Sequence, residues 1–486
     1  MQGSENIMRR TKIICTLGPA SNRFEIIAAF VRAGMSIARL NFSHGTHEEH
    51  AELIRMLRQV SEQEGKPIAI LQDLQGPRIR VGEIPTGTME LKNGEFVVIT
   101  TRVISDRSVS QPQKFIPTTY ENLPKDVNPG DRLLLDDGLL TLEVRAIEGD
   151  DVQCVVIDGG ELSSHKGMNL PGVKLSTPTL TAKDKKDLAF GATHGVDFIA
   201  LSFVRYPNDV RQVRKELAKH GASVPVIAKL EKPEAIENLD EILDISDGVM
   251  VARGDLGVEI GPEQVPIIQK EVIRKSIQKG KPVITATQML ESMRFHPHPT
   301  RAEASDVANA IFDGTDAVML SGETAAGNFP IEAVQTMAKI IDAAEAQVQY
   351  KARVYSNSHD RGNLSFPDAV SDAACRVAWE LKAKAIVAFT QSGFTARLIS
   401  KYRPVTPIIA YTLQPEIQRQ LVLNWGVKPQ LMERITSIDE MIAKVEKSLL
   451  KEQLVCKGDT VVILAGAPIG RGRTTNLMTI HRIGGE

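Results

Sequence analysis

Eight short apolar runs, each closing on polar or charged residues, constrain the fold of this chain more than any other feature. They are KIICTLG (12–18), IARLNFS (37–43), IAILQDL (68–74), FIALSFV (198–204), VIAKLE (226–231), VMVARGD (249–255), VITATQ (283–288) and AVMLSGE (317–323). Most are followed by text of helical period, such as RFEIIAAFVRAG after the first and PEAIENLDEILDI after the fifth. Strand and helix patterns in alternation mean parallel strands joined by crossover helices. Eight such units predict an α/β chain folded as a (β/α)8 barrel.

The third unit breaks the rhythm, because about 100 residues separate Leu74 from the helical text LTAKDKKDLAFGATHG. The insert carries alternating, turn-rich segments (ELKNGEFVVITT, DRLLLDDGLLTLEVRAIEGDDVQCVVI) that predict a small antiparallel β domain, a β-barrel lid hinged over the larger barrel. Past residue 350, YKARVYSNSHDRGN reads as a linker, and KAIVAFT, PIIAYT and TVVILAG then predict an open α/β sheet. The expected division is a catalytic barrel over 1–75 and 176–348, a lid over 76–175, and a C-terminal regulatory domain over 349–486. A chain of 486 residues has room for about three domains with real cores.

Composition narrows the partners. With 58 Lys and Arg against 60 Asp and Glu, no overall basic field favours nucleic acid or an anionic membrane surface. Cys15, Cys154, Cys375 and Cys456 lie far apart with no C-x-x-C pair, which argues against a zinc ribbon or a disulfide framework and fits a reducing cytoplasm. No apolar run approaches the roughly 18 residues of a membrane span.

Residues two apart share a face of a strand. Arg39, Asn41 and Ser43 are thereby expected on one face of the second strand, Lys229 and Glu231 on one of the fifth, Arg253 and Asp255 on one of the sixth, and Thr285 and Thr287 on one of the seventh, with Asp73 ending the third. One polar strand end is an ordinary solvent-facing loop, but five together outline the barrel mouth, where such folds build active sites. Glu231 and Asp255 offer hard oxygen ligands for Mg²⁺, and Arg39 and Lys229 offer positive charge for a phosphoryl group. The text GDLGVE (254–259) is placed to open a short extra helix with anion-binding amides. His44, His47 and His50 in SHGTHEEH are read as a solvated first helical turn rather than a zinc site. GAPIGRGRT (466–474) matches a dinucleotide loop only loosely, and G-x-x-x-x-G-K-[ST] is absent from the sequence.

The segments ARLNFSHGTHEEH, DLQGPRIR, KGMNLPGVKL, AKLEKPEAIENLDEI, DGVMVARGDLGVEI, ITATQMLESM and TRAEASDVANAIFDGTDAVMLSGETA together resemble the pyruvate kinase family, from about Arg10 to the C-terminus and most specifically through the barrel. The resemblance implies transfer of the phosphoryl group of phosphoenolpyruvate to ADP, giving enolpyruvate, then pyruvate and ATP. It further implies that Glu231 and Asp255 hold Mg²⁺ (with Mn²⁺ as a substitute), that Lys229 stabilises the transferring phosphoryl group, and that Arg39 binds the substrate phosphate. The amides around Gly254 and Asp255, with Thr287, hold the rest of that substrate. Arg80, Lys166, Asn41 and His44 match nucleotide contacts, with a second Mg²⁺ arriving on the nucleotide, and Thr287 and Ser321 match the protonation path. In FTQSGFTARLISKYRP (389–404), Thr390, Ser392, Gly393 and Thr395 are similar to the effector phosphate loop of allosteric, usually homotetrameric, members. Phe394 stands where many relatives carry a basic residue; a sugar phosphate or AMP is the expected effector.

Many members also hold K⁺ through residues matching Asn41, Ser43, Asp73 and the Leu74 carbonyl, and those members resemble D-T-K-G-P-E-I-R-T where this chain reads DLQGPRIRV (73–81). Relatives with Leu, Gln and Lys at the first three differing positions form a K⁺-independent branch. Arg78 keeps that positive charge, so it is expected to stand in for the ion and K⁺ is expected not to be required. Two other classes stay open on the residues alone: a metal-dependent barrel aldolase or lyase acting on pyruvate, with Lys229 forming a Schiff base, and an inactive metabolite sensor.

Overall fold

The computed structural model describes residues 8–102, 114–348, 365–466 and 475–485. The linker text 350–363 and nearly all of GAPIGRGRT lie outside the described residues.

The eight runs are eight strands: β1 Lys12–Leu17, β2 Met35–Asn41, β3 Ala69–Asp73, β4 Phe198–Leu201, β5 Val226–Leu230, β6 Gly248–Ala252, β7 Val283–Ala286 and β8 Ala317–Leu320. They close into a parallel barrel in which each strand lies beside its neighbour in sequence and β8 pairs with β1. Strand alternation divides two cores. Ile14, Ile37, Leu71, Ala200, Ile227, Met250, Ile284 and Met319 fill the interior, while their sequence neighbours Ile13, Ala38, Ile70, Ile199, Val249, Val283 and Val318 pack outward under the helices. Val422 and Leu423 of the C-terminal domain join the interior cluster and plug the barrel floor.

Below the strands a pattern repeats. Asp197, Asp247 and Asp316 stand immediately before β4, β6 and β8, and each accepts an amide N–H from the preceding strand (Ile70, Val226, Val283) and pairs with an arginine. The C-terminal domain supplies two arginines to this layer: Arg403 grips Asp316 with two bonds of 2.9 and 2.8 Å, and Arg419 joins Arg58 on Asp197 at 2.7 Å.

The insert after β3 is a curled six-stranded sheet and a two-stranded ribbon around one apolar core that includes Val81, Val97, Leu133, Leu142 and Val156. Its pairing is antiparallel as expected except between Phe96–Thr100 and Lys114–Pro117, which run parallel. The C-terminal domain is an open sheet of β9 Ala385–Phe389, β10 Ile408–Thr412, β11 Val427–Leu431, β12 Thr460–Ala465 and β13 Leu477–Arg482 in the order β11-β10-β9-β12-β13. Only β13 is antiparallel to its neighbour. All four cysteines are free thiols, and among the described residues no helix is long and apolar enough to cross a membrane.

Candidate active site

Lys229, near the carboxyl end of β5, is buried, and its ammonium is surrounded by two carboxylates and a hydroxyl. Nζ lies 2.8 Å from Glu231 Oε1, 3.2 Å from Asp73 Oδ1 and 2.7 Å from the Ser202 hydroxyl. Burial alone would lower the pKa of this ammonium, but the carboxylates of Asp73 and Glu231 outweigh it and hold the group charged well above neutral pH. Arg39 on β2 donates from Nε to Asp73 at 2.7 Å and from Nη1 to Thr16 Oγ1 at 3.0 Å. Despite its burial, Asp73 is driven below the usual carboxylate range by Lys229 and Arg39. Its Oδ1 is near Lys229 but off hydrogen-bond alignment, leaving that oxygen incompletely satisfied.

Glu231 sits one residue past β5, where Oε2 accepts the Phe203 amide at 2.7 Å. Burial and the nearby Asp255 charge push its pKa up, against the pull of Lys229. Two carboxylates near each other inside the mouth offer a seat for a hard cation, which commonly takes one or two carboxylates and completes its shell with substrate oxygens and water. Among the described residues the Asp255 side chain makes no hydrogen bond or ion pair.

Two of the strand-face expectations fail. β6 ends at Ala252, and Arg253–Ile260 is the short extra helix, so Arg253 and Asp255 lie on a helical turn and diverge. Arg253 turns to Asp306 at 2.7 Å and to the Thr287 carbonyl at 2.8 Å. β7 ends at Ala286, and Thr287 and Gln288 take φ of 69° and 53°. A β-branched residue in that region stores about 1–3 kcal/mol of strain, as active sites often do. Thr285 therefore stays in the wall, bonded to Thr315, while the Thr287 hydroxyl accepts the Gly254 amide at 2.8 Å. The Gly254 amide is thus already engaged by Thr287.

A cleft of about 910 Å³ opens beside β1 and β2 and is lined by Thr16, Arg39, Asn41, His44 and Ser321 among others. The Ser321 hydroxyl is buried with no hydrogen-bond partner among the described residues. Arg80 and Lys166 rise on adjoining segments of the lid root: the Val81 amide donates to the Lys166 carbonyl, Arg80 bonds the His165 carbonyl at 2.7 Å, and Lys166 pairs with Asp136 at 2.8 Å. Burial first, then the charges of Arg80, Arg78 and Arg39, hold His44 below the ordinary histidine value. Arg78 is half-buried at the lid root and lines a small cavity with Asp255; its amide donates to the Gly76 carbonyl at 2.9 Å, while its guanidinium makes no ion pair or hydrogen bond among the described residues. Ser43 donates its amide to Asn41 Oδ1 at 3.2 Å, and the Leu74 carbonyl accepts the Ser202 hydroxyl at 2.7 Å.

Of the histidines of SHGTHEEH, His44 is exposed as expected, whereas His47 and His50 are engaged by the protein. His47 pairs with Asp187 at 2.7 Å, and His50 is buried, stacked on Phe42 and bonded to the His44 carbonyl. In the C-terminal domain, Thr390, Ser392 and Gly393 form the turn between β9 and the helix Phe394–Lys401, with Gly393 at φ 80°. Thr395 turns inward, its hydroxyl 2.7 Å from Thr475 Oγ1.

Sequence reasoning missed Ser202 and Thr16 as the hydroxyls that orient Lys229 and Arg39. The available signal was a polar residue at the mouth end of each of two otherwise apolar runs. It named Arg253 as a mouth residue but not as the group that fixes the strained turn at Thr287.

A closed parallel barrel with a buried lysine between two carboxylates at its carboxyl end, an arginine alongside and a lid attached above defines a barrel enzyme built to neutralise an anionic substrate. Residues 8–334 match the family description "Pyruvate kinase, barrel domain" and residues 368–481 match "Pyruvate kinase, alpha/beta domain". A curated pyruvate kinase of Sporosarcina psychrophila is 48% identical over 98% of this chain and 81% of its own length. One of Staphylococcus aureus (strain MRSA252) is 49% identical over 99% of this chain and 81% of its own. A crystal structure of a pyruvate kinase from Cryptosporidium parvum superposes with a TM-score of 0.91 at 40% identity, covering 98% of this chain and 96% of that one. The chain belongs to the pyruvate kinase family and is a phosphotransferase.

Proposed function

We propose that this enzyme transfers the phosphoryl group of phosphoenolpyruvate to ADP, giving pyruvate and ATP, with Lys229 and Arg39 as the cations that receive the substrate phosphate. The observation that carries this assignment is the buried ammonium of Lys229 held between Asp73 and Glu231 at the barrel mouth. A loose phosphoryl transition state needs charge neutralisation and positioning rather than a protein nucleophile, and a fixed ammonium in low dielectric supplies it without reorganisation. An ammonium held charged is poorly suited to form a Schiff base, which disfavours the aldolase reading. The family's divalent cation is assigned to Glu231 and Asp255, as Mg²⁺ with Mn²⁺ as a substitute, and its chemistry is to neutralise phosphoryl oxygens as charge shifts. Thr287, braced by Gly254 and Arg253, orients the enolate end, and the unpartnered Ser321 hydroxyl is free to share a proton with water for the final protonation. Arg80 and Lys166 from the lid, with Asn41 and His44 from the barrel, hold the nucleotide.

Arg78 is assigned as the internal substitute for K⁺ beside Asn41, Ser43, Asp73 and Leu74. Its support is a half-buried guanidinium with no carboxylate partner among the described residues and a charge felt at His44. The same reading gives three domains divided at 75/76, 175/176 and 348/349, a homotetramer in the cytoplasm, and a sugar phosphate or AMP effector at Thr390, Ser392, Gly393 and Thr395. Adding phosphoenolpyruvate, ADP and Mg²⁺ and measuring pyruvate and ATP tests the activity; no ATP from a folded protein overturns it. Repeating the assay without K⁺ or NH₄⁺, at ionic strength held by a large organic cation, is expected to preserve the rate. Arg78→Glu is expected to make the enzyme depend on K⁺, and a parental rate that collapses without K⁺ rules the role out.

A further inference from the structure

The turn between β2 and the helix His47–Gln63 carries Asn41 and His44 into the nucleotide cleft, and its conformation is fixed from both ends. On the strand side the Asn41 carboxamide accepts the Ser43 amide at 3.2 Å, and the Asn41 carbonyl accepts the His44 amide at 3.2 Å. On the helix side Thr46 and Glu49 form a reciprocal capping box. Between them Gly45 takes φ 76°, a region a side chain rarely adopts, and a Cβ there would lie 3.1 Å from Glu49 Oε2 and 3.4 Å from His50 Nε2. The remaining group is the His44 carbonyl, and His50 Nε2 meets it at 3.0 Å. A carbonyl only accepts, so Nε2 carries the proton, and Nδ1 is left as a buried lone pair with no partner among the described residues. The ring is set by stacking on Phe42, centroids 4.0 Å apart at 12°. Phe42 is itself anchored, its amide donating to the Asp73 carbonyl at 2.9 Å and its carbonyl accepting Lys183 Nζ at 2.6 Å.

We infer that His50 is a positioning residue for the nucleoside diphosphate: its single N–H fixes the His44–Gly45 turn and so sets where His44 and Asn41 present themselves to the nucleotide. The inference rests on the reading of His44 as a nucleotide contact. A histidine kept only to fill the core would need no donor at Nε2, so a purely structural role and a positioning role respond differently to substitution. His50→Phe keeps an aromatic ring on Phe42 and removes the donor, whereas His50→Gln gives up the stack but offers an amide N–H to the same carbonyl.

The test is steady-state kinetics on the full chain, varying ADP and phosphoenolpyruvate separately. His50→Phe is expected to raise KM for ADP about five- to tenfold while KM for phosphoenolpyruvate stays within about twofold, the pattern of a lost binding contact on one substrate. His50→Gln is expected to recover most of that loss, and His44→Ala to show the same ADP-specific rise. Parental KM for ADP in a folded His50→Phe protein, with His44→Ala impaired, overturns the inference alone. An unimpaired His44→Ala instead removes the reading of His44 beneath it. Should His50→Phe not fold, Gly45→Ala disturbs the same turn from its other side, and an unchanged KM for ADP in that variant overturns the inference.

Discussion

The two ends of the barrel use the same residue types to opposite effect. At the floor, Asp316 accepts two bonds from Arg403, the Trp425 amide at 3.0 Å and the Val283 amide at 3.1 Å. Asp197 likewise takes Arg58, Arg419 and the Ile70 amide. Both carboxylates are buried and fully committed to protein donors. At the mouth, Lys229 and Asp73 are also buried, yet groups in this region keep unspent valence: the Asp255 and Arg78 side chains without partners among the described residues, one Asp73 oxygen off alignment and the Ser321 hydroxyl unbonded. A buried charge is costly unless compensated. Burial of a charge alone therefore does not mark a site: the floor carboxylates are saturated by protein donors, whereas the mouth leaves Asp255 and one Asp73 oxygen for a cation and a substrate to complete.

This contrast can be broken most forcefully at Lys229. Lys229→Met is expected to lower turnover by at least about 10²-fold, the scale of losing one preorganised charge, with the fold retained by circular dichroism. Near-parental turnover would make the mouth another structural network. At the floor the converse is expected. Arg403→Met leaves Asp316 buried without its cation and should cost about 3–5 kcal/mol in urea unfolding, with both KM values unmoved in the protein that remains folded. A stable variant with altered KM would show that floor and mouth are not separable.

A smaller effect sharpens the floor further. Lys12, at the start of β1, donates to the Val427 carbonyl across the domain boundary at 2.8 Å, and burial lowers its pKa to about 8. An amine depressed in the folded state binds fewer protons folded than unfolded between about pH 8 and its ordinary value, so its contribution raises stability as pH climbs through that window. Below the window the buried charge opposes folding. Lys12→Met should therefore remove a pH-dependent gain of about 1–3 kcal/mol between pH 7.5 and 10, read as the difference between parent and variant unfolding curves. Parallel curves would mean Lys12 titrates as it does in the unfolded chain.

The eight strands, the insertion after the third, the open sheet at the C-terminal end and the residue types at the mouth were legible in the residue order. Those features rest on local period: alternation places Ile14 inward and Ile13 outward, and puts Lys229 and Glu231 on the same side of β5, whatever the rest of the chain does. Tertiary structure decided what happens where alternation stops. Arg253 and Asp255 part company because β6 ends at Ala252 and a helix begins, and Thr287 leaves the face of Thr285 because its backbone crosses to positive φ. His50 reads as an exposed helical residue but is buried because Phe42, brought beside it by the turn after β2, offers a ring to stack on. The saturation of Asp316 and Asp197 could not be read locally either, since their partners Arg403 and Arg419 arrive from a separate domain. Period is a property of neighbouring residues; whether a buried charge is satisfied depends on groups far away in sequence, and that is settled only when the chain is folded.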